Sequence, residues 1–537
     1  MHRLYPTEGP ADRSGPRVPV RALLVMLLIA LLLGGAVPYV SGPGRAYLSY
    51  LVLADRSDPA GAALAADGAR TADGRVVQEY PQIGAVLAYA TGGFAARLRG
   101  RPGIAAVGAT RTAPVASLPG PLDGAGDFHR TVAAVPGPAS AAVSGAGSID
   151  GGWLGGALSG GGRLGGGRPG GGWLGGGEAS LPDPDEGTDW NLAMVGAVEP
   201  AGGGPLVRSP ATDRAGVTGQ ALRRVTVAVL DSGVDDTHPD LRGAVDPAAS
   251  ASCADGRPDA RSGAWRPDQG VNESGHGTHV AGIVGAVRDG KGVSGVAPGV
   301  RIAAVRLLGP LGQYYAENIV CGLLWAADHG ARAVNDSYFA DPWKYNCPED
   351  ADQAALIQAV GRAVAYAQRQ GAVVVASAGN DAQDLGAART DHRSPNDRLT
   401  GPAQDRRLGT ECIRLPGELP GVVTVGAVDR SGLPAAYTNY GVGRITLAAP
   451  GGDPDGGVQG AIVSDWPGGQ YVALAGTSMA AAHVTGAVAV AAAEHPDWRP
   501  EQLTALLTGL AAAHCPFGPG ACVDNRYFGA GVLTLPR

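Results

Sequence analysis

Four side chains in the C-terminal part of the sequence could together do acyl chemistry: Asp231 in VLDSGVDDTHPDL, His276 in NESGHGTHVAG, Asn380 in VVVASAGN and Ser478 in GTSMAAAHVTG. A serine hydroxyl is a poor nucleophile until an adjacent imidazole takes its proton, and the imidazole needs a carboxylate to hold its tautomer. The oxyanion formed next needs preorganised donors, such as a side-chain amide and a backbone N–H at a helix start. Asp, His, Asn and Ser supply that set. Each also has a plainer reading: Asp231 as a turn or cap residue, His276 as a surface histidine, Asn380 as a strand-end turn. Ser478 could be only an N-cap, because its hydroxyl satisfies an orphan N–H at a helix start. Their joint occurrence in this order is much harder to explain by the plainer readings.

Such groups need rigid elements to aim them. From Asp189 onward, apolar runs (VTVAVL before Asp231, RIAAVRLL from 301, AVVVASAGN from 372, GVVTVGAV from 421) alternate with helical stretches at 277–287, 314–328, 351–369, 478–494 and 500–512. Runs without period-two alternation read as strands buried on both faces, hence a parallel sheet covered by helices. In α/β sheets functional groups gather at the carboxyl ends of the strands. The four candidates all fall at strand ends or helix starts, so residues 189–537 form an α/β domain long enough to bury a large core.

The front of the chain differs. In residues 1–42, Arg13, Arg17 and Arg21 precede the apolar run ALLVMLLIALLL, and GGAVPYV can extend it to Val40. This is a signal peptide or an N-terminal membrane anchor, and either places the rest outside the cytoplasm. Residues 43–115 read as a small α+β unit of strand, helix and strand. Residues 116–188 are Gly-rich, with GGWLGG at 151 and again at 171. Such a stretch cannot bury enough apolar surface to offset its ordering entropy, so it reads as a disordered linker, Trp153 and Trp173 included.

A formal charge of −7 leaves no basic face for nucleic acid. The six cysteines contain no Cys-x-x-Cys pair, which speaks against zinc, and an even count suits disulfides in an oxidising compartment. The expected pairs are Cys253–Cys321, Cys347–Cys412 and Cys515–Cys522, with buried free thiols as the alternative.

The blocks VLDSGVDDTHPDL, HGTHVAGIVGA and GTSMAAAHVTGAVAV, in the order Asp, His, Ser, resemble the subtilisin-like serine proteases over about 189–537. The resemblance implies a three-layer domain with a mostly parallel central sheet, preceded by a prodomain that assists folding and inhibits until it is cleaved away. It implies that Asp231 orients His276, that His276 is general base then acid, and that Ser478 attacks the scissile carbonyl. Asn380 and the Ser478 N–H would hold the oxyanion. Substrate would lie between Leu311, Gly312 and Tyr314 on one rim and Ser337, Tyr338, Phe339, Ala378 and Gly379 on the other. No cofactor is implied for the chemistry. The resemblance also offers a structural calcium site on the carboxylates of Asp240 and Asp289 and the carbonyls of Val287, Lys291 and Val293, against which Lys291 brings a positive charge and an Asp-Gly turn needs no metal. His238, His279 and His483 read as structural.

Two departures stand out. Ala482 precedes His483 where relatives often carry proline, which should alter helix geometry only slightly. Tyr338 and Phe339 follow Ser337 where relatives have Leu or Trp and then Gly, which should narrow the pocket for the residue before the scissile bond. The reading is an exported, self-maturing serine endopeptidase acting on protein or peptide. A membrane-tethered processing protease of narrow specificity and a catalytically silent scaffold are the alternatives; an esterase is disfavoured, since no Gly-x-Ser-x-Gly elbow occurs.

Overall fold

A strand buried on both faces needs two apolar layers, and the computed structural model shows where each comes from. It describes residues 46–115, 118–120, 189–198, 219–271, 274–397, 405–513 and 524–535. The export segment, nearly all of the linker and the Cys515–Cys522 pair lie outside the described residues.

The N-terminal unit is richer than strand, helix, strand. Its elements are β1 (Leu48–Ala54), α1 (Pro59–Thr71), β2 (Arg75–Tyr80), β3 (Ala85–Ala90), α2 (Phe94–Leu98) and β4 (Ile104–Ala109). The strands form an antiparallel sheet of order β2-β3-β1-β4. Side chains alternate across a strand, and here both faces are used. Tyr50, Val52 and Ala54 pack with Ala65, Ala66 and Ala69 of α1, while Leu51 and Leu53 turn the other way into the larger core.

The main sheet collects β5 (Thr226–Asp231), β6 (Ala251–Ser252), β7 (Arg301–Arg306), β8 (Ala331–Asp336) and β9 (Val373–Ser377). After a short hairpin of β10 (Arg389–Asp391) and β11 (Arg406–Leu408), it adds β12 (Val423–Val428) and β13 (Leu447–Pro450). The order is β13-β12-β9-β8-β5-β7-β6, with every pairing parallel. A further hairpin, β14 (Ile462–Trp466) and β15 (Gln470–Leu474), lies outside it. The helices are α3 (Trp190–Val195), α4 (Gly219–Leu222), α5 (His276–Gly285), α6 (Ala316–Asp328), α7 (Ala351–Arg369), α8 (Gly457–Gly460), α9 (Thr477–Glu494), α10 (Pro500–Ala513) and α11 (Asn525–Phe528).

The period of two decides which helix covers which face. Val227, Val229, Ile302, Ala304, Val373 and Val375 enter one core with α5, α9 and α10. Ala228, Leu230, Ala303, Val305, Val374 and Ala376 enter the other with α6 and α7. The helices α5 and α9, which begin at His276 and beside Ser478, therefore share one face. On the opposite face α6 and α7 are in turn covered by the N-terminal sheet, so the chain stacks helix, sheet, helix, sheet, helix.

That docking is polar as well as apolar. The Asp352 carboxylate on α7 accepts from the Ala109 N–H (3.0 Å) and from Arg99 (2.5 Å), and Arg111 pairs with the fully buried Glu317 of α6. The Tyr80 hydroxyl donates to the Gly256 carbonyl at 2.7 Å. The expected disulfides Cys253–Cys321 and Cys347–Cys412 are both formed. Among the described residues no helix is long and apolar enough to cross a membrane.

The sequence reading missed the central strand β8. Its run ARAVND carries Arg332, Asn335 and Asp336, which interrupt the apolar pattern. The tertiary structure satisfies Asn335 instead: its amide donates to the Ser337 hydroxyl (2.8 Å) and its oxygen accepts from Thr485 of α9 (2.9 Å). A buried polar residue so bonded no longer carries the desolvation cost that argues against a core strand.

Candidate active site

β5 ends at Asp231, which is fully buried. Its Oδ1 accepts from the Ser232 N–H (2.7 Å), from His276 Nδ1 (2.7 Å) and from the Tyr314 hydroxyl (3.3 Å). His276 opens α5, and the approach of that helix to the strand end depends on Gly277. A Cβ there would lie 2.4 Å from the Gly233 carbonyl and 3.0 Å from Asp231 Cβ. A carboxylate on Nδ1 sets the tautomer whose lone pair is on Nε2, the form that can take a proton from a hydroxyl.

Ser478 is the second residue of α9, and the N-cap is Gly476, which has no side chain to cap with. The capping role expected of Ser478 is thus not observed; its hydroxyl donates to the Ser337 carbonyl at 3.3 Å. Ser337 Oγ donates in return to the Ser478 carbonyl at 3.2 Å, tying the helix start to the end of β8. Asn380 follows β9. Its Oδ1 accepts both the N–H (2.9 Å) and the hydroxyl (2.7 Å) of Thr477. Two donors on the oxygen identify the other amide atom as nitrogen, a donor set beside Ser478. Since β9, β8 and β5 are neighbours, Asn380, Ser337 and Asp231 come from consecutive strand ends.

The expected cleft residues divide. Leu311 is exposed and Gly312 half-buried, as a rim requires. Tyr314 and Tyr338 are different: their rings stack with centroids 4.9 Å apart and planes at 11°. The Tyr314 hydroxyl reaches Asp231, and the Tyr338 hydroxyl reaches the buried Asp336 at 2.5 Å. Through these bonds both side chains buttress the acids behind the site, while Tyr314 stays half-buried. Phe339 is half-buried, with the Arg414 guanidinium 5.0 Å from its ring centre. Arg414, in CIRLPGELPG, was not anticipated; nothing local in that stretch marks it.

Burial, opposed by the Tyr338 hydrogen bond and aided by the charge of Asp231, pushes the Asp336 carboxyl up to about 7. Between about pH 4, where an unfolded Asp titrates, and pH 7, the native state holds a proton that the unfolded chain has lost. Stability therefore falls as pH rises through that window. We expect Asp336→Asn to flatten this slope and to raise stability at pH 8 by roughly 2–4 kcal/mol. Melting temperatures of both proteins from pH 5 to 9 check it; parallel curves would refute the assignment.

The calcium residues are arranged for hydrogen bonds. Asp240 Oδ2 accepts the Val293 N–H at 3.0 Å and the Tyr471 hydroxyl at 3.1 Å, and Val287 presents its N–H to the Asp240 carbonyl (3.0 Å). Asp289 is exposed, its Oδ1 accepting the Lys291 N–H at 3.1 Å. Two donor hydrogens thus occupy Asp240 Oδ2, and the Asp240 carboxylate lies in a buried cluster with His238 and Asp465. The three structural histidines are buried and bonded to backbone: His238 to Gln470 (3.1 Å), His279 to Ile462 (3.2 Å) and Val472 (3.0 Å), His483 to Met479 (2.7 Å). Burial lowers His279 to about 3 and His483 to about 4, which keeps both neutral. α9 runs unbroken through Ala482.

The profile of the Subtilase family matches residues 223–531. Subtilisin BL from Lederbergia lenta is 32% identical over 299 residues, which span 55% of this chain and 86% of the relative. Subtilisin E from Bacillus subtilis (strain 168) is 31% identical over 333 residues, 61% of this chain and 68% of the relative. Among solved structures, the epidermin leader peptide processing serine protease of Staphylococcus aureus superposes with a TM-score of 0.59 at 18% identity, covering 91% of this chain and 98% of that one. That likeness supports the fold. With more than half of the chain matched, this protein belongs to the subtilase family and is a serine endopeptidase.

Proposed function

We propose that Ser478 attacks the carbonyl of a peptide bond while His276 takes its proton, and that Asp231 holds and stabilises the imidazolium. The Asn380 amide and the Ser478 N–H receive the oxyanion; the first amides of a helix have no intrahelical partner and point outward. His276 then protonates the leaving amine, and water, activated by the same imidazole, hydrolyses the acyl-enzyme. No step runs through a metal. The observation that carries this reading is the Asn380 oxygen locked by both donors of Thr477, which leaves an oriented amide donor beside a serine that caps nothing.

The chain is read further as exported and self-maturing. Residues 43–115 act as the prodomain, a reading supported by their docking on α6 and α7 through Asp352 and Glu317. Phe339 and Arg414 crowd the cleft floor, which favours narrow processing specificity over broad digestion.

Intact mass of the full chain, followed over time beside Ser478→Ala, tests maturation. We expect the wild type to lose its N-terminal segment by a cut between about 115 and 190 while the variant stays whole. If both stay whole with the fold intact, self-maturation is wrong.

A further inference from the structure

Resting on the assignment of Ser478 as the nucleophile, we infer that Arg414 selects substrates with an acidic side chain, Asp or Glu, immediately before the scissile bond. The gap between the ends of β8 and β9 is where that side chain must go. Ser337 and Asn380 grip the start of α9 from either side of the gap. Tyr338 and Phe339 continue one wall, and Ala378 and Gly379 form the other. A substrate carbonyl poised over Ser478 and aimed at the Asn380 amide therefore directs the side chain on its own Cα between these walls.

Arg414 sits in that gap. Its Nη2 approaches the Tyr338 carbonyl at 3.4 Å, and its Cζ lies 5.0 Å from the Phe339 ring centre. It also lies against Gly379: a Cβ built there would be 3.1 Å from Arg414 Cζ and 3.2 Å from Nη1. Gly379 has φ +102°, so only glycine suits both its backbone and this neighbour. The guanidinium thus touches both walls, one residue from each contact that holds the helix bearing Ser478.

Arg414 feels the charges of Asp381, Glu418 and Asp341, but none of them forms an ion pair with its guanidinium among the described residues. The residue is 6% exposed, and Nε and Nη1 have no hydrogen-bond partner among the described residues. The carboxylates nearby are taken: Asp381 pairs with Lys344, and Glu418 pairs with Arg389 (3.5 Å) and Arg444 (3.2 Å), giving Arg414 only a bond to its backbone N–H. Asp341 accepts from the Tyr314 N–H and from Asn396, each at 2.5 Å. A buried guanidinium with two donor nitrogens left unbonded is costly, and the group that would relieve the cost is a carboxylate able to accept from Nε and Nη1 together. The Phe339 face favours the cation but cannot neutralise it. A substrate Asp or Glu supplies what is missing.

The test uses the purified full chain on a proteome-derived peptide mixture, with cut sites mapped by mass spectrometry, and then on quenched peptides differing only as Glu, Gln, Ala or Lys before the cut. We expect kcat/KM for Glu to exceed that for Gln by about 10- to 100-fold, the range of a hydrogen-bonded charge pair. Arg414→Ala should bring the ratio to within about threefold of one, Arg414→Lys should keep part of it, and Arg414→Glu should turn preference toward Lys. Because the wild-type ratio is decisive alone, a variant that fails to fold leaves the proposal exposed to refutation. Wild-type cleavage after Gln or Ala as fast as after Glu overturns the role of Arg414, as does an unchanged ratio in Arg414→Ala, while leaving Ser478 in place. Absence of cleavage of every peptide by protein that has shed its N-terminal segment overturns the Ser478 assignment and this inference with it.

Discussion

Ser478→Ala should lower kcat on peptide substrates by on the order of 10⁶-fold while leaving KM almost unchanged, a magnitude taken from subtilisin and not from this structure. The hydroxyl is the atom proposed to bond to the carbonyl carbon, and no neighbour can replace it. The Ser337 hydroxyl is already used in a bond to the Ser478 carbonyl. Substrate affinity should persist because the cleft walls are untouched. His276→Ala should cost nearly as much, and the double variant scarcely more than either, since a base without a nucleophile has nothing to activate. Single-turnover and steady-state rates of the three proteins on one peptide provide the check. Additive losses would mean that the two residues do not act as a unit, and residual wild-type-like turnover in Ser478→Ala would remove the serine mechanism.

Asn380→Ala should cost about 10²- to 10³-fold in kcat, again with little effect on KM, because the oxyanion exists only after attack. The same substitution removes the acceptor for both Thr477 donors, which could loosen the start of α9. Asn380→Asp separates the two effects: it keeps an acceptor toward Thr477 but replaces the amide donor with a charge that repels the oxyanion. We expect Asn380→Asp to melt close to the wild type and to be at least as inactive as Asn380→Ala. An active Asn380→Asp protein would show that the amide is not the oxyanion donor.

Legibility in the sequence followed the range of the interactions involved. Apolar runs without alternation marked β5, β7, β9 and β12, since a strand covered on both faces leaves that signature whatever covers it. The five helical stretches of the main domain were likewise readable, with ends shifted by a residue or two, such as 277–287 stopping at Gly285. β8 was hidden because Asn335 is made tolerable by Thr485, 150 residues away. Ser478 looked like a cap because helix starts with serine commonly are capped; Gly476 and the bond to Ser337 exclude it.

By itself, the sequence determined the α/β class and the order Asp231, His276, Asn380, Ser478 at strand ends and helix starts; it left the cysteine pairing open, and the fold joins Cys253 to Cys321 and Cys347 to Cys412. The class and that order follow from residue type and local pattern, which do not depend on who the neighbours are. Only the tertiary structure decided that Tyr314 and Tyr338 turn inward to Asp231 and Asp336, and that the loop after α5 offers N–H groups to Asp240. It alone also placed Arg414, 76 residues beyond Tyr338, unpaired between the cleft walls. For the tyrosines and Asp240 the physical reason is the same: where a polar side chain points is set by which partner removes its desolvation cost, and those partners are supplied by folding, whereas two nitrogens of Arg414 are left without one.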